Sequence, residues 1–343
     1  MDSITQAVLG AAIAEAGFRK DLGRGAVFFG ALCGTMPDFD VFTAAIDPWF
    51  ELQHHRGVSH SLVVLPFVAP IVGWAAWRLR DRRSTWQRWS HCAFWALITH
   101  PLLDVCTSYG TQLLAPLSNR RFAIDWVSIV DPVFTVPLII ATVMALRRGD
   151  KARRQHSRTV AMAAVLWGLA WLGIGGINHS IVAARARAAL SQEGVAVDKL
   201  RVAPTLLNHL AFRVVARDRA GDIHVSTMSL LADIPPSFTR VKSDRGPAVD
   251  LALAHPKGAL MTWFSDGLVS TTVRDEGDRR IVRIDDMRYG LIQSPSQSLW
   301  GAEATIQDGV VVDVVRVHRR DPQAMKRELS ALWSVVWTGL PEG

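Results

Sequence analysis

TVAMAAVLWGLAWLGIGGI, residues 159–177, is a run of nineteen residues without a charged side chain. At about 1.5 Å per residue such a helix covers roughly 28 Å, close to the ~30 Å of a bilayer's hydrocarbon core. This stretch decides the class of the chain, because a run this long and apolar reads as a membrane span. Arginines and lysines crowd its N-terminal side at Lys151, Arg153, Arg154 and Arg158, whereas Arg185 and Arg187 are the nearest cations after it.

Working outward, the first half of the chain repeats the pattern. Residues 61–77 are uncharged, 127–146 carry only Asp131, and 89–107 carry only His91, His100 and Asp104. Residues 3–14 and 25–37 are uncharged but short, so they read either as short helices inside a bundle or as a hairpin that does not fully cross. Gly30 and Gly34 have the small-xxx-small spacing that permits close helix approach. The expectation is an α-helical transmembrane bundle of about six membrane helices over 1–180. A linker or amphipathic helix follows at 181–194, then a β-rich α+β domain at 195–343 that closes with a helix.

Thirteen tryptophans against two tyrosines, many near the ends of apolar runs, suit membrane interfaces. The net charge of +7 is concentrated in short loops, which is a topology signal, and no nucleic-acid partner is expected. Those loops hold Arg19, Lys20 and Arg24; then Arg78, Arg80, Arg82, Arg83 and Arg88; then Arg147, Arg148, Lys151, Arg153, Arg154 and Arg158. The positive-inside rule puts them in the cytoplasm, so the stretches 38–60 and 107–126 and the whole C-terminal domain are expected on the outer face of a multi-pass inner (plasma) membrane protein. Cys33, Cys92 and Cys106 all lie in apolar segments and form neither a disulfide framework nor a CxxC zinc pattern.

Ionisable groups inside apolar segments are costly and each is a functional hypothesis. Threaded through this topology they gather at one face: Asp38 and Asp40 in MPDFD, His54, His55 and His60 in HHRGVSHS, His100 and Asp104 four apart on one helix face, and Asp131. Taken singly, PDxD also reads as a helix stop and HRGVSHS as a loop with Ser59 or Ser61 capping the next helix. Their convergence favours a metal site. Imidazole with carboxylate suits zinc, or manganese or iron, and six or more candidate ligands suit two ions. Arg56 is placed to hold an anionic substrate group or to neutralise the carboxylates, and Arg120 and Arg121 have the same two readings.

MDSITQAVLGAA, GTMPDFD, HHRGVSHS, THPLLD and DWVSIVDP, in this order, resemble the YdjM-like inner-membrane metal-dependent hydrolase family over roughly residues 1–180. The resemblance extends distantly to zinc-dependent phospholipase C and P1-type nucleases. It implies metal ligation by Asp38 or Asp40, His55, His60, His100 and Asp104. It departs at Gln6, where some members have histidine, and this puts a third metal position in doubt. Asp2, Gln6, Arg121 and Asp125 complete the candidate set.

The expected function is a membrane-bound metal-dependent hydrolase acting on a phosphoester or lipid-linked substrate. Asp40, His54, Arg56 and Asp131 would serve the chemistry beside the ligands. The alternatives are a metal or proton transporter, which needs polar groups spread through the membrane depth, and a non-catalytic assembly or sensor protein with a structural metal. The outer domain is expected to act as a lid or protein-binding module. Its strands are expected at VDKLRVAPTL, LAFRVVARD, DIHVSTMSL, GALMTWF, GLVSTTVR, RRIVRIDDMRYG and GVVVDVVRVHR, and its helix over 322–338, with Leu329, Leu332 and Val336 on one side.

Overall fold

The computed structural model describes all residues except 46, 81–83, 148–150, 319–321 and 341–343; the side chains of 322–327 and 329 are also outside the description. Arg82, Arg83, Arg148 and the Leu329 side chain therefore lie outside the described residues. The chain divides into two compact units, one of residues 1–177 with 206–208, the other of 178–205 with 209–343.

The first unit is helical: α1 Ser3–Gly17, α2 Arg19–Leu22, α3 Gly25–Thr35, α4 Pro48–His54, α5 Leu65–Leu79, α6 Trp86–Val105, α7 Pro132–Leu146, and the first part of α8 Lys151–Gln192. Caps and prolines set the boundaries. Asp2 accepts from the Thr5 amide to start α1, and Asp47 and Asp131 cap α4 and α7, each followed by a proline at the first helical position. After Thr35 the Met36-Pro37 pair turns the chain into a 3₁₀ segment, Met36–Ala45. A second 3₁₀ turn, Val58–His60, follows Arg56, whose φ of 59° reverses the chain after α4.

These boundaries overturn the expectation of about six membrane helices. Among the described residues only α8 is long and apolar enough to cross a bilayer. The count rises to two if Pro48–His60 and α5, bent by 72° at their break, form one broken span. The charge-free runs exist, but α1, α3 and α7 stop at 15, 11 and 15 residues, and the 20 residues of α6 include Arg88, His91, His100 and Asp104. Several of these runs bury one face in a shared core of Leu9, Ala12, Leu103, Phe134, Leu138 and Ala161. Where α1 crosses α3, a methyl group on Gly10 would collide with the Gly30 carbonyl, and one on Gly34 with the Gln6 carbonyl. The two backbones are therefore in contact, which only glycine permits.

In the second unit, the end of α8 packs Val182, Ala183 and Ala186 on Val202, Phe212, Val214 and Met228. The helix thus runs on to Gln192, through most of the stretch read as a linker or amphipathic helix. Strands β1 Val197–Pro204, β2 Ala211–Asp218, β3 Ile223–Ser229 and β4 Thr239–Val241 form one antiparallel meander. Helices α9 Pro247–Ala254 and α10 Pro256–Phe264 lead to a second, β5 Val269–Glu276, β6 Arg279–Asp286, β7 Trp300–Gln307 and β8 Val310–His318. GALMTWF is thus helix and not strand, because Pro256 at its first turn and the His255 cap start α10. The chain ends in α11 Pro322–Thr338, with Leu332, Val335 and Val336 packed on Ala211.

Candidate metal centre

Four side chains from three segments meet in the helical unit. Asp38 comes from the 3₁₀ segment after α3, His60 from the turn after α4, and His100 and Asp104 from one face of α6. One ligand atom of each lies within 4.8 Å of all the others. His60 Nε2 and His100 Nε2 are 3.0 Å apart. Asp38 Oδ1 is 3.5 and 3.2 Å from them, and Asp104 Oδ2 is 3.3 and 3.6 Å from them. Donors at zinc–ligand distances of about 2.0–2.1 Å on a tetrahedron are roughly 3.3 Å apart, so these spacings fit a tetrahedral ion.

Hydrogen bonds behind the ligands hold the rings. His100 Nδ1 donates to the Gly34 carbonyl at 2.5 Å, which leaves its Nε2 lone pair toward the cluster. His60 Nδ1 lies 3.4 Å from Asp40 Oδ2 and 2.9 Å from Ser59 Oγ. Two imidazole Nε2 atoms turned inward beside two carboxylate oxygens repel one another unless a positive charge, a metal ion or a proton on His60, lies among them. Asp104 Oδ2 is buried and makes no hydrogen bond, although Arg56 Nε lies 3.1 Å away. Burial and an unspent acceptor are what a metal ligand requires. The donor set of two imidazoles and two carboxylates fits zinc, and manganese or iron less selectively.

The remaining candidates surround this group. Asp40 accepts from His55 Nδ1 at 2.7 Å, from the Arg56 amide at 3.1 Å and from Ser59 Oγ at 2.5 Å, behind His60. Burial opposes the charged form of Asp38 and of Asp40. Hydrogen bonds with His100 and His60 for Asp38, and with His55 and His60 for Asp40, outweigh it, and both carboxyls stay well below the usual carboxylate range. Gln6 donates through Nε2 to Asp104 Oδ1 at 3.0 Å and to the His100 carbonyl at 3.2 Å, so it supports two ligands. The Met1 amine also contacts Asp104 Oδ1.

Other candidates are not brought to the cluster. His54 is exposed and stacks on Phe50. Asp131 caps α7 and accepts from Trp171 Nε1 at 3.0 Å, and Asp2 caps α1. Asp125 is a buried residue with φ of 56°. Arg121 donates to the Tyr109 and Gly110 carbonyls, and its guanidinium and that of Arg56 both lie over the Tyr109 ring. Sequence reading gave Ser59 only as a candidate helix cap, and it missed Thr107 (which accepts from Arg56 Nη1 at 3.1 Å), Tyr109 and the Gly34 carbonyl. Its place inside the histidine motif is the signal that marks Ser59, and a backbone carbonyl carries no sequence signal at all.

A helical unit with a buried His/Asp cluster that could hold a metal ion and, among the described residues, one helix long and apolar enough to cross a membrane is the class the structure outlines. Residues 1–182 match the YdjM inner membrane protein family, and the chain belongs to that family. A curated relative is "Uncharacterized protein YfhP" of Bacillus subtilis (strain 168), 25% identical over 117 residues, which is 34% of this chain and 36% of that protein. The chain thus spans little more than a third of that relative's length. No solved structure matches.

Proposed function

We propose that the chain is a membrane-bound metal-dependent hydrolase whose site comprises Asp38, His60, His100 and Asp104, acting on a phosphoester or lipid-linked substrate. The observation that carries this reading is the spacing of the four donor atoms, 3.0–3.6 Å over the five pairs given above. A zinc-type ion held there would polarise a scissile group and make a bound water more acidic. The chain's own residues prepare the site. Gly34 and Asp40 fix the two imidazoles, and Arg56 balances Asp104. Asp38, whose side chain is 14% exposed against 0% for the other three ligands, is the side from which a substrate enters. Arg56, buried beside the ligands, favours an anionic substrate such as a phosphoester. The C-terminal unit is proposed to lie outside the cytoplasm and to serve as a lid or partner-binding module.

One observation favours a second reading, a structural metal. Four protein donors close a tetrahedral shell, whereas catalytic zinc sites keep a position open. Metal content by mass spectrometry on detergent-purified protein, beside His100→Ala and Asp104→Ala, tests the site itself. At least one equivalent of zinc or manganese, lost in both variants, is expected; metal-free protein purified without chelator would sink both readings. Hydrolysis of a phosphodiester or phospholipid by the loaded protein separates them. Activity lost with the metal supports the hydrolase, and a metal that raises the unfolding temperature without any activity supports the structural role.

A further inference from the structure

At the opposite ends of α1 and α3 from Gln6 and Gly34, the helical unit holds a cavity of about 720 Å³. Its lining includes six cations: Arg19, Lys20, Arg24, Lys151, Arg154 and Arg158. Glu15 is the one carboxylate among its described lining residues, and it is already engaged by Arg19 Nη1 at 2.8 Å and Ser157 Oγ at 2.6 Å. Arg19 is buried and also donates to the Ala145 carbonyl at 2.6 Å, which fixes its charge in the wall. Helix α3 starts just after Gly23 and Arg24 with no side-chain cap and no acidic residue in its first turn. The positive end of its dipole therefore adds to the same field. Six like charges around one concave space raise its potential and concentrate anions there.

Lys151, Arg154 and Arg158 lie on one face of α8. The same stripe continues as Met162, Leu166 and Leu169, which are 47%, 63% and 61% exposed. Arg158 immediately precedes the uncharged run 159–177, so its guanidinium sits at headgroup depth if that run lies in the hydrocarbon. A cationic cup followed down one helix by a bare apolar stripe matches a molecule with an anionic head and an apolar tail.

We propose that this cavity binds a phosphate-bearing anion, and that its source is the headgroup of an anionic membrane phospholipid whose acyl chain lies along Met162, Leu166 and Leu169. The site is independent of the metal centre and of the hydrolase reading. Arg154 and Arg158 offer planar forks for the phosphate oxygens, while Lys20 and Lys151 supply mobile charge at the rim.

The test uses the full chain, delipidated in neutral detergent and titrated with dioleoylphosphatidylglycerol, dioleoylphosphatidylcholine and inorganic phosphate. Bound lipid is counted by native mass spectrometry and unfolding is followed thermally. Phosphatidylglycerol is expected to remain bound and raise the unfolding temperature, with phosphatidylcholine and free phosphate much weaker. Arg154→Glu with Arg158→Glu is expected to weaken phosphatidylglycerol binding by more than about tenfold. If that pair fails to fold, Lys20→Gln with Lys151→Gln, both at exposed positions, serves instead, with a loss of roughly fivefold per cation. Free phosphate binding as tightly as phosphatidylglycerol would overturn the lipid as source. Equal binding of both lipids, or folded variants that bind phosphatidylglycerol as wild type does, would overturn the site.

Discussion

At the scale of single residues, Asp40 separates two accounts of the cluster. Its oxygens are taken by His55, the Arg56 amide and Ser59, and it faces His60 across the ring from the four ligand atoms. A carboxylate so placed orients a ligand and raises its basicity, and loss of such a partner typically weakens metal binding by about 10–100-fold. Asp40→Asn is therefore expected to keep a weakened site in a competition titration with a metal-sensitive dye, where His100→Ala keeps none. If Asp40→Asn also abolished binding, Asp40 would be a ligand in its own right, as the bare motif suggested. That ambiguity marks how far the sequence could be read. Histidine and aspartate inside apolar runs stand out because burying them is costly, so Asp38, His60, His100 and Asp104 were visible as candidates. Which of two aspartates two residues apart turns inward depends on how the 3₁₀ segment after Pro37 winds, and no pattern of residue types records that.

Among the elements, the α1–α3 contact has the least tolerance. A methyl on Gly30 would collide with the Gly10 carbonyl and come within 2.6 Å of Ala14 Cβ. The carbonyl on one side of that collision is backbone and cannot swing away, so Gly30→Ala is expected to cost about 1–3 kcal/mol. Since α3 also carries the Gly34 carbonyl that holds His100, the same change should lower metal retention. Gly173 in α8 is the control. Nothing lies within 4 Å of its added methyl, and Gly→Ala in a helix interior is worth about 0.5–1 kcal/mol in favour of alanine. Thermal unfolding of the two variants should therefore move in opposite directions, and a Gly30→Ala protein as stable as wild type would refute the close packing. The elements themselves were only partly legible. Absence of charge marked α1, α3, α5 and α7 as apolar, and the first two already read as short, but Asp131-Pro132 starts α7 five residues into the run 127–146 and turned that expected span into a shorter helix. Strand β7, WGAEATIQ, escaped notice because glycine, alanine and Glu303 blur its alternation, although its burial alternates in the folded sheet. GALMTWF misled in the other direction, since an apolar heptapeptide reads equally as strand or helix until Pro256 is given its weight.

For the whole molecule, the question is where each end of α8 lies. Lys151, Arg153, Arg154 and Arg158 precede its apolar run and only Arg185 and Arg187 follow closely, so the charge bias favours a cytoplasmic N-terminal end and an external C-terminal unit. The chain suits a thiol-labelling experiment, because Cys33, Cys92 and Cys106 are all buried in the helical unit and give little background. Two single substitutions report the two sides. Gln155→Cys places a thiol on the exposed first turns of α8. Asp275→Cys places one on β5, at a side chain 70% exposed, with loss of a surface ion pair to Arg280 worth no more than about 1 kcal/mol. With a membrane-impermeant maleimide, Asp275→Cys should label in intact cells, and Gln155→Cys only after the membrane is opened. Labelling of Gln155→Cys alone in intact cells would reverse the orientation. It would also move the basic cavity to the outer leaflet, where the lipid headgroups available to it are those of the outer surface. Labelling of both in intact cells would mean that α8 does not cross, leaving its exposed stripe of Met162, Leu166 and Leu169 to be covered by something other than a bilayer core.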